Sequence, residues 1–330
     1  MKILYAIQGT GNGHVSRARE IIPYLKTYGE VDVVLSGTDS EVDIGHPIKF
    51  RLHGLGFKFG KKGGVDILKT IRHAKIFQFI RDIKNLPVHD YDMVIHDIEP
   101  VTSWACWFKN KPFLELSHQA SFYSPNTPVA PGIHYGKYLM KFYVPKKHYV
   151  GFHFKAYDHF ITTPVIRSEI RKQKPVEGDF YLVYLPAYSN AFLADILGRF
   201  DEKWIVFSKT IDNSVTAENI EFHAVSAEGF SEKLLHCKGL LTGAGFESPA
   251  EAIFLGKKLM CIPMHNQYEQ KCNAQALEEM GIPIAHKNSE IIPKIEKWLE
   301  SEHVLQINFP DNLEQTIAQI MTTYGHIQED

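Results

Sequence analysis

The 330-residue sequence is defined first by what it lacks. It has no apolar run of 18 residues, which excludes an ordinary membrane-spanning helix. Its four cysteines, Cys106, Cys237, Cys261 and Cys272, lie in apolar or helical contexts without CxxC spacing. Neither a zinc site nor a disulfide framework is indicated, and a reducing compartment is expected. No charged leader or cleavage site separates Met1 from the first strand-like run, so the expected location is cytoplasmic, with association at the cytoplasmic face of a membrane left open. Repeats at solenoid spacing and low-complexity tracts are absent. A formal net charge of -2 and 22% charged residues argue against disorder and against a dedicated nucleic-acid binder, so no nucleic-acid partner is expected.

What is present is enough apolar material, 44% of the chain, for two cores of roughly 150 residues each. The halves differ in charge: residues 1–160 hold 21 Lys and Arg against 14 Asp and Glu, and residues 161–330 hold 15 against 24. A basic first half suggests an anionic partner on that side. Short apolar runs recur between helical patterns: "KILYAIQ", "VDVVLSG", "DMVIHD" and "PFLELS", then "FYLVYLP", "KWIVFS", "GLLTG", "LMCIP" and "IPIA". Runs of this kind suit parallel strands covered on both faces. The expected class is α/β, two doubly wound Rossmann-like domains facing across a cleft. Residues 1–165 form the first and 166–330 the second, joined in a polar stretch between Phe160 and Asp179 that Pro164 and Pro175 interrupt. A final amphipathic helix over 311–325 is free to pack on the N-terminal domain.

The stretch "AIQGTGNGHVSRA" follows the first strand. Gly9, Gly11 and Gly13 let the backbone turn and let a ligand approach a helix N-terminus. A dinucleotide fingerprint is not met, because the third glycine arrives one residue early and His14 stands in its place. A histidine beside a helix N-terminus is expected to stay neutral and able to take a proton, or else to serve as a helix cap. Asp97, at the end of "DMVIHD", either supports that imidazole or caps the following helix. The "DYD" at 90–92 sits in the lead-in to a strand, and no carboxylate or histidine cluster has metal-ligand spacing, so no metal site is expected.

Residues 240–274, "LLTGAGFESPAEAIFLGKKLMCIPMHNQYEQKCNA", carry the strongest signal. A strand ending in Gly243, Ala244 and Gly245, with a helix starting near Phe246, makes a diphosphate cradle that needs no metal. Ser248 adds a hydroxyl. Glu251, three residues on, shares its face and suits the two hydroxyls of a ribose. Glu269 and Gln270 offer an acceptor and an amide to a polyol. Ser189 and Asn190 either cap a helix or meet the phosphates, while backbone near Val225 suits a base edge and Phe230 its face or the core.

In this region the chain resembles the GT-B glycosyltransferases. The order T-x-x-G-[aromatic]-x-S-x-x-E, then [DE]-Q and N-A, looks like the donor signature of UDP-sugar transferases. It is also similar to that of the N-acetylglucosaminyltransferases of lipid-linked peptidoglycan precursor, whose first glycine loop "GTGNGHVSRA" resembles. The layout is nearest to a bacterial glycosyltransferase-like family of unspecified acceptor. The resemblance implies Gly243–Gly245 and Ser248 at the diphosphate, Glu251 at the ribose, Glu269 and Gln270 at the donor sugar, His14 as base and Asp97 as its support. Gly11 and Gly13 belong to an acceptor-side loop. Two positions depart from the pattern: Gly243 replaces a phosphate-binding histidine, and Glu247 replaces an asparagine, so that it turns away or meets a cation.

Residues 135–160 combine nine aromatics, five lysines and three histidines. Such interleaving suits an anionic membrane surface or a lipid-linked phosphate, or else an ordinary helix with core rings; "FKFGKKGGVDILKTIRHAK" adds positive charge. The expected activity is inverting, metal-independent transfer from a nucleoside diphosphate sugar, as a substrate and not a cofactor, to a sugar or lipid-linked acceptor hydroxyl. The alternatives are a nucleotide-sugar 2-epimerase or hydrolase and a non-catalytic nucleotide-sugar-binding protein.

Overall fold

The computed structural model describes residues 1–37, 43–55, 75–132, 136 and 142–325. The first half builds one sheet from β1 (Lys2–Gln8), β2 (Glu30–Ser36), β3 (Ile48–Leu52), β4 (Met93–Asp97), β5 (Leu114–Ser117), β6 (His148–Phe152) and β7 (Ile161–Thr162). Their order is β3-β2-β1-β4-β5-β6-β7 and every pair is parallel. Helices α1 (Asn12–Lys26), α2 (Ile76–Asn85) and α3 (Pro100–Phe108) make the crossovers. The order reverses between β1 and β4, which opens a crevice at their carboxyl ends, where Gln8 and Asp97 lie.

The second sheet contains β8 (Phe180–Tyr184), β9 (Lys203–Ser208), β10 (Val215–Ala217), β11 (Ile220–Ala224), β12 (Gly239–Thr242) and β13 (Lys258–Cys261). It runs β10-β11-β9-β8-β12-β13, antiparallel only at β10 with β11. Its helices are α4 (Ser168–Arg171), α5 (Asn190–Leu197), α6 (Ala227–His236), α7 (Glu247–Phe254), α8 (Tyr268–Glu279) and α9 (Asn288–Glu300). Central strands such as β4, buried at all five positions, hold the continuous apolar runs that a sheet covered on both faces needs.

The expected strand "IPIA" is reduced to one bridge between Ile284 and Cys261. Gly281, at φ +88°, ends α8 just before it, and Pro283 offers only its carbonyl to Cys261. Conversely, β3, β6, β7, β10 and β11 form where no apolar run was read. β3 alternates half-buried and exposed positions on a sheet edge, with Lys49 and Arg51 outward, so its period-2 pattern escapes a search for continuous runs.

The last helix, α10 (Leu313–Tyr324), lies against α1 in the first domain. The chain thus passes between the domains twice, and the two passages are tied together: Asn312 Nδ2 donates to Thr162 Oγ1 at 2.9 Å, and Thr163 Oγ1 donates to Asn312 Oδ1 at 3.4 Å. Ile317 and Ile320 on α10 are buried in the same apolar cluster as Val15, Ile21 and Ile22 of α1. Truncating Ile317 to Ala leaves a cavity under this helix and is expected to destabilise the protein by about 2–4 kcal/mol, read as a lower midpoint in equilibrium urea unfolding.

Candidate active site

The two sheets present their carboxyl ends to one cleft, where the first turn of α1 faces the first turn of α7. A solvent-open pocket of ≈ 560 Å³ lies there, lined by Asn12, Gly13 and Ser16 from one side and by Arg167, Tyr184, Phe207, Val225, Ser226, Ala227, Phe230, Glu247, Ser248 and Glu251 from the other. Neither helix has a side-chain N-cap. The positive ends of two helix dipoles therefore meet at the pocket, a setting that favours an anion. Gly13 has a packing reason to lack a side chain, since a Cβ there would lie 2.8 Å from the Cδ of Glu247.

His14, in the first turn of α1, places Nδ1 3.0 Å from Oδ1 of Asp97 at the end of β4. Its Nε2 bonds to none of the described residues, and the side chain is 17% exposed. Asp97 is fully buried. Arg17 donates to it three times: Nε to Oδ2 at 3.1 Å, Nη2 to Oδ1 at 2.9 Å and Nη2 to Oδ2 at 2.7 Å. With Nδ1–H donating to Asp97, the Arg17 Nη2 at 3.1 Å from that nitrogen is a neighbour and not its donor. Arg17 Nη1 crosses the cleft to Oε1 of Glu247, so the cation that Glu247 meets is this guanidinium.

Burial alone pulls the His14 imidazole down. The charge and hydrogen bond of Asp97, with help from Glu247, outweigh burial and Arg17, and His14 ends above the ordinary value of 6.5. The helix N-terminus alone led to the expectation of a neutral ring; the adjacent carboxylate overrides it. Asp97 is pushed up by burial, but Arg17 and then His14 hold it below the usual carboxylate range. Asp97 does not cap α3. Glu99 does, accepting from Val101 N at 2.8 Å and Thr102 N at 2.6 Å. Between the two acids Ile98 takes φ +45°, a conformation that costs a β-branched residue about 1–3 kcal/mol and that aims Asp97 and Glu99 at different helices.

On the opposite wall Ser248 lines the pocket, as do Val225 and Phe230, whose ring meets Tyr184 and Phe207 edge-on. Glu251 lines it too, but both its oxygens already accept from Arg167, at 2.6 Å from Nε and 2.7 Å from Nη2. Gly245 has open space around it, whereas Gly243 faces the Gln270 amide. Gln270 Oε1 accepts from Met264 N at 2.9 Å, and Glu269 Oε2 accepts from Gln119 Nε2 of the first domain at 3.0 Å. Ala244 is buried and its carbonyl accepts from Asn273. The Phe246 ring is likewise buried, stacked on His118 at 3.9 Å between centroids, so this side chain joins the domains and only its backbone is left for a ligand. His118 Nε2 lies 2.8 Å from Asn273 Oδ1. Ser189 caps α5 through Phe192 N, Asn190 bonds Thr210 and Ser208, and neither lines the pocket.

The sequence profile described as Glycosyl transferase family 1 matches residues 1–301. The chain belongs to that family. No curated protein matches it in sequence. Among solved structures, the glycosyltransferase SsfS6 of Streptomyces sp. SF2575 is similar at a TM-score of 0.59 and 12% identity, covering 98% of this chain and 96% of that one. Arabidopsis thaliana UGT89C1, complexed with UDP, gives 0.59 and 13%, with 98% and 94% covered. Acinetobacter baumannii MurG gives 0.55 and 12%, with 98% and 99% covered. These likenesses are of fold, and they make the paired sheets of this family 1 glycosyltransferase the GT-B architecture.

Three functional candidates of the family 1 chain escaped sequence reading. Arg17 was visible as the polar member of "HVSRA" three residues after His14, a spacing that puts both on one helix face. Arg167 was hidden inside what read as a linker, and Gln119 in a loop without a motif. The segment 135–160 is corrected in part. Tyr143, Phe152 and Phe154 are buried, and Tyr149 packs edge-on against Tyr123 and Phe160, so these rings serve the core and not a headgroup layer. Residues 135 and 137–141 lie outside the described residues, as does nearly all of "FKFGKKGGVDILKTIRHAK". Large exposed apolar side chains gather instead on α2 and α3: Ile76, Phe77, Ile80, Trp107 and Phe108, with Phe142 exposed as well. No helix among the described residues is long and apolar enough to cross a membrane.

Because His14 titrates above its unfolded value of 6.5, its contribution to stability is full below that pH and is lost as pH rises through the folded value. Replacing His14 with Gln removes this slope. The wild-type advantage over the variant in urea unfolding is expected to shrink between about pH 6 and pH 8.5, the range an imidazole covers.

Proposed function

We propose that this glycosyltransferase moves a sugar from a nucleoside diphosphate donor, UDP-sugars being the expected class, to an acceptor hydroxyl by a single inverting displacement without a metal. The observation that carries the reading is a paired imidazole and carboxylate set beside a pocket that two uncapped helix N-termini share. In this reading His14 Nε2 takes the proton as the acceptor O–H bond breaks and the oxygen forms its bond to the anomeric carbon from the face opposite the leaving group. The bond from that carbon to the phosphate oxygen breaks, and its electron pair leaves with the nucleoside diphosphate. Asp97 keeps the ring oriented through Nδ1–H and stabilises the imidazolium. The N–H groups of the Gly243–Gly245 turn and of α7, with the Ser248 hydroxyl, take the charge of the leaving group.

In this reading Glu251 takes the ribose, which is supported by the second lone pair that each oxygen bonded to Arg167 keeps for a hydroxyl. Val225 and Phe230 suit the base, and Glu269 and Gln270 the transferred sugar. Replacing His14 with Ala is expected to lower transfer by about 10²–10⁴-fold while UDP still raises the melting temperature, and EDTA is expected to leave the wild-type rate unchanged. Undiminished turnover in the variant would remove His14 from the base role. Conversion of UDP-N-acetylglucosamine without any acceptor would point to an epimerase or hydrolase, and donor binding without turnover to a non-catalytic protein.

The acceptor reading extends to a lipid-linked molecule at an anionic membrane surface. It is supported by the apolar side chains exposed on α2 and α3, flanked on α2 by the exposed Lys75, Arg81 and Lys84. Vesicles rich in phosphatidylglycerol are expected to co-sediment the wild-type protein, and Phe77→Glu with Ile80→Glu to release it without change in melting temperature. Equal sedimentation of the two would separate this face from the membrane.

A further inference from the structure

Two side chains that the transfer chemistry does not consume hold the base from opposite domains. Arg17, one turn along α1 from His14, is 2% exposed and spans both oxygens of Asp97 through Nε and Nη2. Its remaining arm, Nη1, reaches Glu247, the first residue of α7 in the other domain. A continuous chain of polar contacts therefore crosses the cleft from Glu247 through Arg17 and Asp97 to His14. The glycine at 13 permits the approach, since the Glu247 carboxylate occupies the place where its Cβ would be.

We propose that Arg17 and Glu247 are positioning residues for the proton transfer, and that Glu247, brought in by the donor domain, completes the charge balance around His14 only when the domains are closed. The inference rests on reading His14 as the general base. Asp97 and Arg17 cancel one another, so a proton arriving on His14 would leave that trio with one net positive charge. Glu247 neutralises it. As the acceptor hydroxyl surrenders its proton, the imidazolium that develops is thus stabilised by a carboxylate that the first domain does not own. Among the described residues, the other groups around this cluster are Tyr5 on β1, His96 on β4, Glu115 on β5 and, facing Glu247, His118 just after β5. All four belong to the first domain and stay with it whether the cleft is open or closed. His96 is held neutral by burial, with its pKa pushed down to about 3. Burial raises Tyr5 well above its usual range and Glu115 to about 7. Glu247 is the member of the set whose presence follows domain position.

The test uses the full chain labelled with ¹³C at histidine Cε1, with the His14 resonance identified by its loss in His14→Gln. Glu247→Gln keeps the acceptor oxygen and removes the charge, and is expected to lower the His14 pKa by roughly half a unit, the size of one unit charge acting at a partly screened distance. Gly13→Ala, acceptable to a helix and obliged to displace the Glu247 carboxylate, is expected to move it the same way. Arg17→Gln is expected to move it upward. Opposite signs from the two ends of one ion pair separate charge tuning from simple loss of a structural contact, which would act alike from either end. Should Arg17→Gln fail to fold, Glu247→Gln and Gly13→Ala decide the matter alone. An unmoved His14 pKa in those two variants would overturn the positioning role. A His14 pKa that moves while the acid limb of the transfer rate stays fixed would overturn the base assignment instead and leave the coupling intact.

Discussion

The cleft is organised by the burial of one negative charge. Asp97 has no access to solvent, and an isolated carboxylate in such a place would be driven to its neutral form. It stays ionised because Arg17 meets both oxygens and His14 meets one. That compensation fixes much else. It sets the rotation of α1 about its axis, since residues 14 and 17 must point at the end of β4. It assigns the tautomer of His14, whose Nδ1 carries the proton toward Asp97 and whose Nε2 bonds to none of the described residues. It also obliges β4 to end in a turn sharp enough to separate Asp97 from the helix cap at Glu99, and Ile98 supplies that turn in a left-handed conformation.

A second regularity follows from the way polar groups of the second domain's wall are matched. Glu247 meets Arg17, Glu251 meets Arg167, Glu269 meets Gln119 and Asn273 meets His118. Three of these four partners belong to the first domain. With an acidic second half and a basic first half, the pairing is the local form of a chain-wide asymmetry. On the proposed reading, a polyanionic donor enters between α1 and α7 where carboxylates already stand, and Arg17 and Arg167 offset their charge. The departure at Glu247 has its counterpart in this light: the wall carries an acid at the head of α7, and the cation comes from across the cleft.

How much of this was legible in the sequence depends on range. The doubly wound class, the first glycine loop and the residues of the second-half turn could be read because each depends on neighbours within a few positions, where apolar runs, glycines and helical spacing carry the signal. His14 and Asp97 could be paired because the helix that follows β1 starts at the same sheet edge at which the adjacent parallel strand β4 ends. The partners of the acidic residues could not be read, since Arg17 with Glu247 and Gln119 with Glu269 are separated by 230 and 150 positions and bear no local mark. The aromatic segment misled for a related reason: composition reports that rings and lysines alternate, but whether a ring faces lipid or a β-strand's core is decided by tertiary packing. β3 was missed because a half-exposed strand alternates and leaves no apolar run, β7 because it has two residues, and β10 because it is exposed at all three positions.

The chain's return to its first domain has a mechanical consequence. Two covalent passages, at Thr162–Thr163 and at Asn312, run side by side and are hydrogen-bonded to each other, and Arg171 Nη1 adds a bond to the carbonyl of Phe309 beside them. Two tethers joined at adjacent points act as one covalent joint between the bodies. Any change in the opening of the cleft, and with it in the Arg17–Glu247 contact, has to turn on that joint.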